Sequence, residues 1–255
     1  TRAQPIADVV FGIDNALVAK AQAANVLEAY TGPAATRASA VPLAGPVVAV
    51  DYGYVNLNYD KAWFARTGLV LPKSLEDLTQ PAYRDLLVVQ NPATSSPGYA
   101  FLLATVAGMG EQGAFDWWAR MRANGLKVAK GWSEAYYTEF SRNGGSRPLV
   151  VSYASSPAAE VFYSKEKITE PPTGSLFLQG GVLRQVEGVA LVRGGQQRAA
   201  AGRFIEFMRS TPVQEALQTT MWMFPAEPGV PRADVLRQHA GEPAQFEDPA
   251  SERVA

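Results

Sequence analysis

Three segments of the chain run from an apolar stretch, through small hydroxyl or glycine residues, into a helical pattern: LLVVQNPATSSPGYAF, LKVAKGWSEAYY and LVVSYASSPAAEVF. In the first, Ser96 precedes Pro97. In the third, Ser156 precedes Pro157. In the second, Ser133 precedes Glu134. These spacings predict serine N-caps, with proline at the first helical position in two of them. A helix start presents free backbone N–H groups and the positive end of its dipole. Three such starts together suit a small anion, although each Ser-Pro pair taken singly is also ordinary capping. Rings keep company with these junctions: Tyr99, Trp132, Tyr136 and Tyr153. A strand leaves the core at its carboxyl end, so Trp132 and Tyr153 stand between lining a pocket and packing inside. DYGY (51–54) and MWMFP (221–225) add Tyr52 and Trp222, the latter equally readable as a hydrophobic cap. Hydroxyls and helix starts on one side, with rings on another, would suit a flat cationic ring carrying a polar or anionic tail. Each desolvated ring could contribute about 0.5–2 kcal/mol of cation–π attraction.

The rest of the composition narrows the chemistry. The 255 residues include 23 Lys and Arg against 24 Asp and Glu, a formal net charge of −1. That balance carries no electrostatic footprint for nucleic acid and no polybasic membrane-surface mode. No apolar run reaches the length of a membrane span, so no direct membrane insertion is expected. Cysteine is absent, which removes disulfides, thiolate metal sites and thiol nucleophiles. The one histidine, His239, lies in a Pro- and Glu-rich tail and reads as a solvated surface residue. A histidine triad or zinc centre has almost nothing to be built from. No GxSxG elbow or P-loop occurs, and no carboxylate spacing marks a catalytic pair. The chain is expected not to be an enzyme and to need no cofactor or metal.

The elements that must position these residues read as α/β. Strand-length apolar runs are DVVFGI (8–13), VVAV (47–50), LLVVQ (86–90), LKVA (126–129), PLVVSYA (148–154) and VEGVALV (186–192). Their continuous apolarity predicts strands buried on both faces, in a largely parallel sheet. Helices are predicted over 15–29, 97–109, 113–123, 133–142, 157–164, 196–209 and 212–219. In 196–209, Ala201, Phe204, Ile205 and Met208 form one apolar stripe. Thr211, Pro212 and Gln214 read as a capping box opening the next helix. Two long strand-like stretches, 45–60 and 183–195, suit a pair of crossovers between two lobes. Lobe 1 would then comprise 1–52 and 189–255, and lobe 2 would comprise 53–188. The tail after Pro225 reads as irregular and partly mobile.

ADVVFGIDN, DYGY, NPATSSPG, KGWSEAYY, SYASSPA, QVEGVA, FIEFMRSTPVQ and MWMFP occur in this order. The chain thereby resembles the periplasmic thiamine-binding proteins of bacterial ABC importers, from about residue 7 to about residue 225. KGWSEAY and SYASSP are the specific parts of that resemblance. It implies a two-lobed type II periplasmic-binding-protein fold hinged by crossover strands. Thiamine, or its mono- or diphosphate, would bind in the inter-lobe cleft and be delivered to a membrane permease. The implied location is periplasmic, with no signal peptide visible in this chain. Carried over by motif, ligand contacts fall on Thr94 and Ser95, on Trp132, and on Tyr153, Ala154, Ser155, Ser156 and Pro157. Tyr52 and Trp222 are added from their aromatic stretches. Ala154 stands where the family more usually has threonine, which removes one hydroxyl. The resemblance also implies roughly sixty earlier residues, with two more strands of the first lobe and an acidic contact. The chain is expected to lack these, leaving lobe 1 without its leading strands and the site incomplete. The alternative within the same fold is a receptor for another small ion, such as ferric iron or a phosphonate. Iron would want paired tyrosines, whereas Tyr136 and Tyr137 are consecutive and diverge by about 100° on a helix. A thiamine-degrading enzyme sharing this fold would need the cysteine this chain lacks.

Overall fold

Each predicted apolar run becomes a strand. In the computed structural model, which describes residues 4–248, the strands are β1 (Val9–Asp14), β2 (Leu27–Glu28), β3 (Val48–Asp60), β4 (Leu87–Gln90), β5 (Lys127–Ala129), β6 (Leu149–Tyr153), β7 (Thr173–Leu176), β8 (Leu183–Val192) and β9 (Phe224–Pro225). The helices are α1 (Val18–Ala23), α2 (Pro33–Thr36), α3 (Lys61–Thr67), α4 (Ser96–Ala123), α5 (Trp132–Glu134), α6 (Ser156–Tyr163), α7 (Arg198–Met208), α8 (Thr211–Thr220) and α9 (Asp234–His239). The first three residues and the end of the tail, 249–255, lie outside the described residues.

The described chain divides into two units. Unit 1 takes 4–53 and Gln185–Asp234; unit 2 takes Tyr54–Arg184 and Val235–Asp248. The chain passes from one to the other inside β3 and returns inside β8. The tail, read from sequence as part of lobe 1, is divided: 235–248 groups with unit 2. Tyr54 lies 5.3 Å from Phe246, Arg184 stacks over Phe246 at 4.8 Å, and the Glu247 N–H donates to the Val182 carbonyl. A six-residue helix, α9, with Leu236 buried, replaces part of the irregular stretch expected there.

In unit 1, β1 and β2 pair antiparallel with β8, and β9 pairs antiparallel with β3. Val18, Leu27, Val47 and Ala190 form one of its cores. Along α7 the predicted stripe buries Ala201, Ile205 and Met208, while Phe204 stays over a third exposed. The helix predicted over 15–29 stops at Ala23, because Asn25 turns left-handed at φ 51°. Asn tolerates that conformation, and Leu27–Glu28 then joins β8 as a strand.

In unit 2, β4 pairs parallel with both β5 and β6. Strand β6 and β7 each pair antiparallel with β3. The sheet is therefore mixed, where a largely parallel one was expected. Burial on both faces produces the same continuous apolarity whichever way a neighbour runs. One face buries Val55, Leu57, Leu87, Val89, Leu149 and Val151 against Phe101, Trp117 and Met121 of α4. The indole N–H of Trp117 donates to the Leu75 carbonyl at 2.8 Å, which satisfies the one polar atom of a fully buried ring. The other face packs Val88, Ala129 and Val150 against Ala135, Tyr136 and Phe140. The helices predicted over 97–109 and 113–123 meet at Gly110, whose φ of 74° and ψ of 163° break the helical path. A residue without Cβ adopts that conformation without strain.

Candidate functional site

The carboxyl ends of β5, β4 and β6 lie side by side in unit 2, in that order across the sheet. Beyond β4, the Asn91 N–H donates to the Ala129 carbonyl of β5, and the Asn91 carboxamide oxygen accepts from Ala93 in a tight turn. Thr94 then donates its hydroxyl to the Lys130 carbonyl at 2.6 Å, tying the β4 loop to the β5 loop. Ser95, not Ser96, occupies the N-cap position of α4, and its hydroxyl makes no capping bond. The same one-residue shift recurs at α6, where Ser155 precedes a helix beginning at Ser156, and at α8, where Ser210 takes the place expected of Thr211. The expected capping box does not form either. The Gln214 carboxamide instead donates to the Val50 and Met208 carbonyls. Proline fits the second helical position as well as the first, since neither N–H has an intrahelical partner.

Trp132 begins α5, directly after Gly131 in an extended conformation. Its ring is half-buried. The indole N–H donates to the Ser152 hydroxyl at 2.8 Å, reaching β6 from β5. Tyr136 stacks on the indole at 4.8 Å with 17° between planes, and Tyr137 meets it edge-on at 5.2 Å and 85°. The segment 135–139 winds as a π-turn closed by the Phe140 N–H on the Ala135 carbonyl, where an ordinary helix was expected. Tyr136 is buried and Tyr137 exposed. Their rings stand at 81°, and the Tyr136 hydroxyl is committed to Glu160 at 2.7 Å.

On β6, Ser152 is fully buried and its hydroxyl lies 2.8 Å from that of Ser156. Ser156 also accepts the Tyr153 N–H at 3.3 Å. The Ser156 hydroxyl thus turns back onto the strand end. Tyr153 is half-buried, while Ala154, Ser155, Ser156 and Pro157 are buried. The Ala154 N–H donates to the Tyr54 carbonyl. Thr94, Ser95, Trp132, Tyr153 and 154–157 are thereby brought to one edge of unit 2. Tyr52 and Trp222 belong to unit 1. There Tyr52 lies 5.4 Å from the Phe224 ring and accepts from Arg232 at 3.1 Å. Trp222 is held left-handed at φ 61°, its N–H on the Leu217 carbonyl.

Sequence reasoning passed over Ser152 and Glu160. The signal available for Ser152 was a lone hydroxyl inside a fully apolar run. Glu160 accepts the Tyr136 hydroxyl at 2.7 Å and the Thr173 hydroxyl at 3.1 Å. Burial pushes its carboxyl up from the usual range, against the pull of those two donors. Burial likewise pushes the Tyr136 phenol up, helped by the neighbouring Glu160, so it stays a protonated donor. Among the described residues no group of three or more His, Cys, Asp or Glu could hold a metal ion. The edge offers hydroxyls, two helix starts and a half-exposed indole, which are means of binding a small ligand.

Unit 1 carries a second polar cluster with a testable consequence. Asp51 of β3 is fully buried, and neither of its oxygens meets an N–H or O–H donor. Burial, and then the adjacent Glu187 carboxyl, raise its pKa well above the usual range; Glu187 is raised by burial and by the charge of Asp14. Asp14, opposite Glu187 in the β1–β8 ladder, accepts from the Ala16 and Leu17 N–H groups and from Gln185 at 2.7 Å. Raised values on two neighbouring carboxyls, one of them without a donor, favour a proton held on the pair. Because their folded-state values are raised, the pair's contribution to stability is complete below the ordinary carboxylate range of about 4 and is lost as pH rises through the folded values. Asp51→Asn supplies an amide donor in place of that proton. Thermal melts should show the variant gaining stability over the parent at about pH 8 and matching it near pH 4. Parallel melting profiles would exclude the shared proton.

A family model described as bacterial extracellular solute-binding protein matches residues 4–252. The thiamine-binding periplasmic protein of Salmonella typhimurium is 35% identical over 222 residues, 86% of this chain. The chain spans 64% of that protein's length. A solved structure of a periplasmic thiamin binding protein superposes with a TM-score of 0.84 at 29% identity, covering 100% of this chain and 77% of its own. Iron-bound HitA from Pseudomonas aeruginosa shares the fold, with a TM-score of 0.75 at 18% identity, over 96% of this chain and 78% of its own.

Proposed function

The chain belongs to the bacterial extracellular solute-binding protein family, and from that premise we propose that it binds thiamine or a thiamine phosphate and delivers it to the membrane permease of an ABC importer. The family is periplasmic and non-catalytic, and its fold is the mixed-sheet α/β fold of type II periplasmic binding proteins. The observation that carries the ligand assignment is the half-exposed indole of Trp132, backed by Tyr136 and pinned by Ser152 at the edge where Thr94, Ser95, Tyr153 and the start of α6 gather. Thiamine is a cationic thiazolium linked to a flat aminopyrimidine and a hydroxyethyl arm. A ring face attracts such a cation, and hydroxyls with helix N–H groups suit the arm or its phosphate. The 35% identity to a protein named for thiamine supports the same ligand.

Calorimetric titration of thiamine into the protein is expected to show saturable heat at one equivalent, with tryptophan fluorescence quenched in step. Absence of both heat and quenching at millimolar thiamine would overturn the assignment. A visible charge-transfer band on adding ferric ion, with no response to thiamine, would support an iron receptor instead.

A further inference from the structure

We propose that Glu160 is a positioning residue for Trp132, a role that rests on reading Trp132 as a ligand contact. Two side chains of α6, one turn apart and so on one face of the helix, hold the indole from two directions. Ser156 lies 2.8 Å from Ser152, and Ser152 receives the indole N–H at 2.8 Å. Glu160 receives the Tyr136 hydroxyl at 2.7 Å, and Tyr136 lies against the indole at 4.8 Å and 17°. The first chain fixes the edge of the ring and the second fixes its face. Thr173, fully buried in β7, donates to the second Glu160 oxygen and holds the carboxylate in place. A phenol bonded to a carboxylate is a charge-assisted pair with narrow geometry. Packing alone would be served by phenylalanine over an apolar side chain, because burying a carboxylate is costly. What the carboxylate adds is the orientation of Tyr136, and through it the plane in which Trp132 meets a ligand.

The test uses the whole chain with and without thiamine. The near-ultraviolet circular dichroism that Trp132→Ala removes from the ligand-free protein is the contribution of the coupled ring pair. Glu160→Ala should abolish most of that contribution, and Glu160→Gln, which still accepts from the phenol, should keep it. Tyr136→Phe retains the ring, removes the hydroxyl and should match Glu160→Ala, so the question stays decidable even if the alanine variant does not fold. Calorimetry should give thiamine affinity about tenfold weaker in Glu160→Ala and within about threefold of the parent in Glu160→Gln. In a Trp132→Ala background, Glu160→Ala should weaken affinity no further, whereas mere destabilisation would add to it. Full Trp132 ellipticity in both Glu160→Ala and Tyr136→Phe, or additive losses in the double variant, would overturn the proposal. The ellipticity is read without ligand. A parent protein that ignores thiamine would therefore sink the ligand assignment while leaving the role of Glu160 to be decided by the spectra.

Discussion

Trp132→Ala weakens thiamine binding by about 1–3 kcal/mol, roughly five- to 150-fold in Kd, if the ring supplies a desolvated cation–π face. The expected size follows from how the ring is held. Its N–H is already committed to Ser152 and one neighbour is already stacked on it. The indole therefore meets a ligand with little freedom left to lose. Trp132→Phe should recover part of the loss, since phenylalanine keeps a π face but cannot bond to Ser152. The heat of binding should shrink along with affinity. Equal thiamine affinity in the parent and the alanine variant, measured by calorimetry at one salt concentration, would remove Trp132 from the site.

Arg209→Ala should destabilise the folded protein by about 3–5 kcal/mol, the range for breaking a buried ion pair by removing one partner. Arg209 follows α7, and its side chain is almost wholly buried. One terminal nitrogen donates to the Ala34 and Ala49 carbonyls, and the other to the Ala38 carbonyl and Glu227. The remaining nitrogen donates to Glu227 at 3.2 Å. Truncation leaves three carbonyls and part of a carboxylate without their donor, each carrying a desolvation cost. Arg37 still reaches Glu227 at 3.1 Å, which keeps the loss from growing further. Lysine retains the charge but not the planar fork of donors, so Arg209→Lys should restore less than half of the stability. Chemical denaturation decides the matter: an unshifted midpoint in Arg209→Ala would show that these bonds contribute nothing net.

Some of this was legible in the residues alone. The apolar runs located six of the strands; β4 and β6 are buried almost throughout, as continuous apolarity predicts, whereas β1 is only partly buried and Val128 of β5 is exposed. The ordered motifs from ADVVFGIDN to MWMFP identified the family, and KGWSEAYY with SYASSPA pointed to one edge of unit 2. Elsewhere local chemistry was ambiguous. Pro97, Pro157 and Pro212 each fit two helical positions, so the caps expected at Ser96, Ser156 and Thr211 lie one residue earlier, and the cap expected at Ser133 falls instead on Gly131. Asn25 ended a helix that hydropathy alone extended to residue 29.

By itself, then, the sequence determined where the chain is apolar, where helices can start, and which family those choices belong to. Each of these depends on residues close together along the chain. Only the tertiary structure decided the direction of strand pairing, the turning of Ser156 onto Ser152, the partnership of Tyr136 with Glu160, and the burial of Arg209. Those outcomes depend on groups brought together from 4 to 175 residues apart. A buried polar atom must be satisfied wherever the fold happens to place a partner, and that partner is not written beside it in the chain.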